Sequence, residues 1–125
     1  MEKILIKNSI VCRTCGDVLV STHTHDFVRC SCEAVYLDGG NSYQRTGGDN
    51  YTDLSVYSDA PFETIRENLY RGTFGRDGDQ PFKRVRLCDM DAEWLEAVIT
   101  YEEIYRPDNP YLEFYRAEQK YRKEL

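Results

Sequence analysis

Apolar and polar residues alternate over several short stretches in the first half of the chain, as they do in strands with one buried face. The predicted strands cover residues 4–12, 17–22, 26–29, 34–37 and 51–57. Residues 22–25 are the predicted tip of a hairpin between the second and third strands, and the turn sequence at residues 38–40 ends the fourth. The first half is therefore predicted to be a set of short antiparallel strands.

The second half has helical spacing instead, with apolar residues three and four positions apart. It predicts a short helix over residues 61–71 and a longer one over residues 92–105 with Asp91 as its N-cap. The apolar stripe predicted for the longer helix consists of Trp94, Leu95, Val98, Ile99, Tyr101 and Tyr105. After a short proline-containing break, Asn109 is predicted to cap a final helix whose packing side carries Tyr111, Leu112, Tyr115 and Tyr121. Such a short break predicts an antiparallel αα-hairpin.

Two glycine-rich segments are candidate binding loops. Residues 39–48 form either a mobile binding loop or a plain connector, and residues 71–79 contain three glycines and two arginines that can cradle an anion. The latter lacks the Gly-Lys-Ser/Thr ending of a nucleotide-binding P-loop. Residues 82–87 alternate apolar and basic side chains, which predicts a strand. The candidate ligand or partner contacts in these segments are Tyr43, Arg45, Arg71, Arg76, Lys83, Arg84 and Arg86.

Four of the five cysteines form two close pairs. Cys12 and Cys15 flank two residues and are followed by Gly16, whereas Cys30 and Cys32 flank a single residue. Two thiolate pairs separated by a hairpin-length spacer are the donor set of a tetrahedral Zn²⁺ site. Because four protein ligands leave no position for water, we expect a structural ion and not a catalytic one.

The second cysteine pair departs from the usual knuckle, because Glu33 stands where a glycine often follows. Two alternatives stay open: His23 or His25 replaces one sulfur, or the cysteines are buried thiols that hold no metal. A disulfide framework fits less well, since pairing four cysteines would leave Cys88 over. The chain also shows no secretory signal and no apolar run of the ~20 residues that a membrane span needs. We therefore expect a cytoplasmic protein with reduced thiols and no membrane partner.

Together these patterns predict an α+β fold with an N-terminal antiparallel zinc ribbon and a C-terminal αα-hairpin. Residues 1–57 are predicted to form the ribbon. Residues 58–125 are predicted to form a linker helix, the glycine/arginine loop, a basic strand and the hairpin. The second segment has either a hydrophobic core of its own or one that it shares with the ribbon. The net charge is −6, and residues 89–125 hold five basic and ten acidic residues. Nucleic-acid binding depends on basic residues that neutralise phosphates, so we expect the acidic αα-hairpin not to bind nucleic acid. With ten tyrosines in the chain, an acidic, aromatic helix face is instead a candidate protein-binding surface.

Six short motifs follow one another along the chain, and each occurs once. They are the Cys12-x-x-Cys15 knuckle, Asp26-Phe27-Val28-x-Cys30-x-Cys32, Asp38-Gly39-Gly40-x-x-Tyr43-x-Arg45, Arg71-Gly72-x-x-Gly75-x-Asp77-Gly78, Met90 with a Trp-Leu-x-x-Val-Ile helix, and Arg106-Pro107-x-Asn109-x-Tyr111-Leu112. In this order the chain resembles small, largely uncharacterised zinc-ribbon proteins of tailed bacteriophages. The resemblance implies a phage accessory or early protein that acts in the bacterial cytoplasm, and it carries over no catalytic residues.

Three functions are compatible with these features. The first is a non-enzymatic, zinc-stapled scaffold that binds a host or defence-system protein and modulates or inhibits it. The alternative is a zinc ribbon that binds nucleic acid with the help of the basic segment at residues 71–86, and the third is a small-nucleotide binder that uses the glycine/arginine loop. We expect no enzyme, because Cys88 is a lone thiol and the spacing indicates no nucleophile–base set.

Overall fold

Antiparallel β-sheets and three α-helices give the chain an α+β fold in the computed structural model, which describes residues 3–124. The predicted fold class is confirmed at this level. The chain divides into two compact units, Met1–Ile65 and Arg66–Leu125, called here the N-terminal and C-terminal units. Among the described residues, none of the helices has the length and apolar character that crossing a membrane requires.

The N-terminal unit is built around one long strand. Its strands are β1 (Leu5–Cys12), β2 (Val18–Ser21), β3 (Val28–Arg29), β4 (Tyr36–Asp38), β5 (Arg45–Gly47), β6 (Tyr51–Asp53) and β7 (Val56–Tyr57). β1 pairs with β2 on one side and with β6 and β7 on the other, whereas β3, β4 and β5 form a second antiparallel sheet in that order. Ile10, Leu19, Val35 and Leu37 meet in a common apolar core.

The predicted pairing of the second and third strands is wrong, because β2 pairs with β1 and β3 pairs with β4. Asp26 explains the difference. Its carboxylate accepts a hydrogen bond from the amide of Thr22 at 2.8 Å, and its carbonyl accepts one from the Ser21 hydroxyl at 2.8 Å. These bonds occupy the end of β2 with a local turn, so the chain leaves that sheet before β3 begins.

The loop after β4 is tied to the buried part of β1. Asn8 is fully buried, and its side-chain amide donates to the carbonyl oxygens of Asp38 and Tyr43, both at 3.2 Å. Gln44 donates to Asn8 at 3.1 Å and to Ser55 at 2.7 Å. Residues 39–44 are therefore an ordered connection that leads into β5, and only part of the predicted 39–48 loop is irregular.

The C-terminal unit combines a hairpin with two longer helices. Its elements are β8 (Tyr70–Thr73), β9 (Lys83–Arg86), a 3₁₀ turn (Leu87–Asp89), α2 (Ala92–Tyr105) and α3 (Leu112–Lys123), and they follow α1 (Phe62–Asn68), in which the unit boundary falls. β8 and β9 pair from Tyr70↔Arg86 to Thr73↔Lys83. The loop predicted over residues 71–79 is thus wrong at its start, since Arg71 lies in a strand.

The two longer helices confirm one predicted cap and correct the other. The carboxylate of Asp91 accepts a hydrogen bond from the amide of Trp94 at 2.7 Å, as an N-cap does. Asn109 instead accepts from the amide of Tyr111 at 3.0 Å in the turn that precedes α3. α2 and α3 pack together with Leu95, Val98, Ile99, Leu112, Phe114 and Tyr115 buried.

Two tyrosines that were predicted to pack in the core are exposed, whereas one glutamate in each of the two longer helices is buried. Tyr101 and Tyr105 of α2 are exposed, so the predicted apolar stripe is wrong at these positions. Glu102 and Glu118 are fully buried. The helical spacing places Glu102 on the same side of α2 as Val98 and Ile99.

Arginines neutralise both buried carboxylates. Glu118 accepts two parallel hydrogen bonds from Arg66, each 2.8 Å long, and a third from Arg122 at 2.7 Å. Glu102 accepts hydrogen bonds from Arg71 at 3.2 Å, from Asn109 at 3.0 Å and from Arg106. Buried charges persist only when they are paired and hydrogen-bonded, so these two carboxylates anchor the C-terminal unit.

Candidate metal centre

The four paired cysteines converge on one point. The sulfur atoms of Cys12, Cys15, Cys30 and Cys32 all lie within 4.8 Å of one another. Cys32 Sγ is 3.6 Å from that of Cys12 and 3.5 Å from that of Cys30. In a tetrahedral zinc–thiolate site with metal–sulfur bonds of about 2.3 Å, the sulfurs are about 3.8 Å apart. The arrangement is compatible with a four-sulfur metal site.

The cluster connects the two sheets of the N-terminal unit. Cys12 is the last residue of β1, and Cys30 directly follows β3 in the other sheet. Both are buried against the apolar core, whereas Cys15 and Cys32 are exposed. An ion bound there would link the two sheets at the edge of the core.

The first knuckle is a tight turn closed by backbone hydrogen bonds. The amide of Gly16 donates to the carbonyl of Cys12 at 2.8 Å, and the amide of Cys12 donates to the carbonyl of Asp17 at 2.9 Å. Gly16 has φ 80°, and an added Cβ would meet nothing within 4 Å. The turn therefore favours glycine because of its backbone conformation and not because of space.

The second knuckle adopts the same kind of turn without a glycine. Glu33 has φ 62°, and its amide donates to the carbonyl of Cys30 at 3.0 Å. The amide of Cys30 donates to the carbonyl of Val35 at 3.2 Å. Glu33 replaces the usual glycine of such a knuckle, and the turn keeps its left-handed backbone conformation.

Asp17 joins the two knuckles, a role that the sequence did not indicate. Hydrogen bonds from the Ser31 hydroxyl and from the Ser31 amide, the latter 2.7 Å long, lower the pKa of the Asp17 carboxyl. Its own amide points towards the sulfur of Cys15. A carboxylate directly after a Cys-x-x-Cys-Gly knuckle is the only local signal that could have suggested it.

The surroundings lower the pKa of two of the sulfurs and raise that of a third. Hydrogen bonds from the amides of Asp17 and Cys32 lower the pKa of Cys15 to about 6. Burial raises the pKa of Cys30, but the amide of Val35 and the neighbouring thiols bring it below the ordinary value. The amide of Ala34 acts to lower the pKa of Cys32, but the adjacent sulfurs and burial outweigh it and raise that pKa to about 12. Sulfurs this close need a cation before all of them can ionise.

The histidines and the fifth cysteine lie outside the cluster. Within residues 3–124, the group of potential metal ligands contains the four cysteines and neither His23 nor His25. Both histidines are exposed, and His23 Nδ1 is 3.0 Å from the Thr22 hydroxyl. Cys88 belongs to the C-terminal unit. The donor set described by the structure is therefore four sulfurs.

The basic residues of the 71–86 segment mostly contact their own unit. Arg71 is bound to Glu102, Arg76 pairs with Glu93 at 2.7 Å, and Arg86 pairs with Asp89 at 2.8 Å. The Arg84 guanidinium lies 4.5 Å from the centre of the Tyr70 ring, and Lys83 lines a cleft of about 550 Å³ beside α2. Internal carboxylates thus neutralise most of the charge that a nucleic-acid or nucleotide site in this segment would need.

In the N-terminal unit, Tyr43 and Arg45 lie together. The Arg45 guanidinium is 5.9 Å from the centre of the Tyr43 ring, and it forms an ion pair with the buried carboxylate of Asp38. One oxygen of Asp38 accepts no hydrogen bond from the described residues. Tyr43 and Arg45, two of the predicted ligand or partner contacts, therefore lie together at the second sheet. The other predicted contacts are in the 71–86 segment of the C-terminal unit.

The left-handed turn at Glu33 leads to a testable difference between the knuckles. Gly16→Ala is expected to destabilise the metal-loaded protein by about 1–2 kcal/mol, since a Cβ disfavours this conformation. Glu33→Gly should instead be neutral or stabilising by up to about 1 kcal/mol. Urea unfolding of the metal-loaded variants measures both, and Glu33→Ala controls for loss of the side chain. Similar destabilisation by Glu33→Gly and Gly16→Ala would show that the two turns are not equivalent.

The fold and the cluster define an α+β protein with a four-cysteine site compatible with a metal. A family model described as a domain of unknown function (DUF7695) matches residues 4–48. No curated protein and no solved structure matches the chain. The matched segment contains strands β1 to β5 and all four clustered cysteines.

Proposed function

We propose that this chain is a non-enzymatic accessory protein of phage type that binds a host or defence-system protein in the bacterial cytoplasm and modulates or inhibits it. In this proposal Cys12, Cys15, Cys30 and Cys32 hold a structural Zn²⁺, which makes the N-terminal unit a zinc ribbon. The observation that carries the binding function is an exposed apolar surface on α2.

Zinc suits the donor set better than other common ions. Thiolates select zinc, copper(I) and iron–sulfur clusters, and a tetrahedron of four sulfurs is typical of a structural zinc site. Four protein ligands fill the coordination shell, so the ion would supply folding energy and no reaction. This supports a scaffold and not an enzyme.

The exposed surface of α2, called here the α2 stripe, consists of Tyr101, Ile104 and Tyr105. These residues are 48, 64 and 68 % exposed. The other side of the helix is already buried, so the stripe has no role in the core of its own unit. Large apolar residues clustered on a surface mark interaction sites, and tyrosine is enriched in protein interfaces.

Charges on α2 indicate the kind of partner. Glu93, Glu96 and Glu103 are exposed on this helix, and Glu93 pairs with Arg76 at 2.7 Å and Glu103 with Arg116 at 3.6 Å. The remaining negative charge of the helix complements a partner surface in which lysine or arginine lies beside apolar residues. It also opposes binding to nucleic acid.

The buried glutamate network holds the α2 stripe in place. Arg106 is bound to the buried Glu102, and its guanidinium lies 5.8 Å from the centre of the Tyr101 ring. The rings of Tyr101 and Tyr105 are 4.9 Å apart. Side chains that are already ordered lose less entropy on binding, which favours a preformed interface.

Affinity purification from bacterial lysate tests the proposal. The wild type should recover one stoichiometric protein, and the double variant Tyr101→Ser/Ile104→Ser should lose it. A matched control, Val18→Ser/Leu54→Ser, removes two exposed apolar side chains from the N-terminal unit and should keep the partner. Equal zinc content shows that the N-terminal unit of each variant is folded, and equal helical circular dichroism shows the same for the C-terminal unit. Recovery of no stoichiometric protein, or equal recovery by both double variants, would overturn the proposal.

A further inference from the structure

The second sheet of the N-terminal unit carries a surface that the proposed protein interface does not use. We define the aromatic row as Phe27, Tyr36 and Tyr43 together with Arg29 and Arg45. The Phe27 and Tyr36 rings are stacked, with centres 4.8 Å apart and planes 30° apart. The Arg29 guanidinium is 5.6 Å from the Phe27 ring centre, and Arg45 is 5.9 Å from that of Tyr43.

Strand register places the paired members of the aromatic row on one face. Arg29 is opposite Tyr36, and Tyr36 is opposite Gly47, while Asp38 is opposite Arg45. Residues two apart on a strand share a face, so Tyr36 and the Asp38–Arg45 pair lie on the same side. Leu37, which points the other way, is fully buried in the core. Arg29, Tyr36 and Arg45 therefore lie on the face of this sheet that is turned away from the core.

Gly47 allows the Tyr36 ring to lie directly over β5. A Cβ at this glycine would be 1.7 Å from Cε1 of Tyr36, so no other residue fits beneath the ring. Phe27, stacked on that ring, is itself 52 % exposed. The stack is supported from below and open to a further planar group.

We propose that the aromatic row binds single-stranded nucleic acid, with a base stacked on the exposed ring of Phe27 and a phosphate held by Arg29. Exposed aromatic side chains that alternate with arginines on a sheet are a general platform for unpaired bases. An exposed ring such as that of Phe27 suits a strand that makes several contacts better than a free nucleotide held by one. The proposal is independent of the α2 stripe.

The charge of the N-terminal unit sets the expected character of the binding. Residues 1–65 hold five basic and nine acidic residues, a net charge of −4. Asp38 already neutralises part of the charge of Arg45, which leaves Arg29 as the main phosphate contact. Few phosphates are then neutralised, so stacking supplies most of the affinity and the salt dependence is shallow. Duplexes, whose bases are already stacked and paired, should bind poorly.

Fluorescence anisotropy with labelled oligo(dT) and oligo(U) of about eight nucleotides, at low salt, tests this inference. The zinc-loaded wild type should bind, and Phe27→Ala should weaken binding by roughly 5- to 150-fold, the loss of one stacked base. Phe27→Trp should retain it. Arg29→Gln should reduce the salt slope by about one. The matched control is Phe82→Ala, an aromatic residue of the C-terminal unit that is 57 % exposed, which should bind like the wild type.

Several results would overturn the inference. These are no binding at low salt, equal binding of a duplex or of a mononucleotide, and equal losses with Phe27→Ala and Phe82→Ala. Loss of the co-purified protein in Phe27→Ala, without any oligonucleotide binding by the wild type, would assign the row to a protein interface instead. Tyr101→Ser/Ile104→Ser should bind oligonucleotides normally, so failure of one proposal is distinguishable from failure of the other.

Discussion

Cys12→Ser is expected to unfold the N-terminal unit and to abolish zinc binding. Cys12 is fully buried at the end of β1, and its sulfur belongs to the cluster that connects the two sheets. Structural zinc contributes about 10–16 kcal/mol of apparent folding free energy in small zinc-finger domains, more than so small a core can replace. Elemental analysis of the purified protein, together with the loss of dispersed amide signals from residues 3–65, measures the effect.

Cys88→Ser provides the matched control for this substitution. It also replaces one thiol by a hydroxyl, but its sulfur lies in the other unit and outside the four-sulfur group. Zinc content and the spectrum of the N-terminal unit should stay as in the wild type. Equal zinc in the wild type and in Cys12→Ser would contradict the assignment of the site.

Glu118→Leu is expected to have the second large effect, a loss of about 3 kcal/mol in the unfolding free energy of the C-terminal unit. The substitution leaves Arg66 and Arg122 without the carboxylate that accepts three of their hydrogen bonds. Urea unfolding followed by helical circular dichroism measures the change. Glu113→Leu, at an exposed position of the same helix, should change the value by no more than about 0.5 kcal/mol.

The same carboxylates predict how stability depends on pH. Burial raises the pKa of Glu118 and of Glu102, but hydrogen bonds from Arg66 and Arg122, and from Asn109, Arg106 and Arg71, bring both below the ordinary value of 4.5. A carboxyl whose pKa is lower in the folded state stabilises it fully above pH 4.5 and loses this contribution as the pH falls through the folded pKa. The unfolding free energy should therefore decrease in acid, and less steeply in Glu118→Gln.

Local signals in the sequence explain what was predicted correctly. The spacing of the cysteine pairs predicted their convergence, because each knuckle is a short turn whose geometry depends on a few neighbouring residues. Asp91 was recognisable as a cap because its partner, the amide of Trp94, is three residues away. The start of β1 and the extent of α2 likewise follow from periodicity within one element.

Long-range contacts explain what was missed. The partners of β2 and β3 depend on residues elsewhere in the chain, and alternation alone does not identify them. The burial of Glu102 and Glu118 was not predicted, because charged residues are seldom fully buried. One signal was available: Arg106 and Arg122 each follow a glutamate by four residues on the same helix face.

The pairing of β1 has a consequence for where the chain can be cut. The segment matched by the family model ends at residue 48, yet Cys12 pairs with Tyr51 in β6, and Leu5 pairs with Tyr57 in β7. A recombinant fragment trimmed to the matched segment would keep every clustered sulfur but leave one whole edge of β1 bare, which invites self-association. The earliest truncation that keeps this edge covered follows Tyr57.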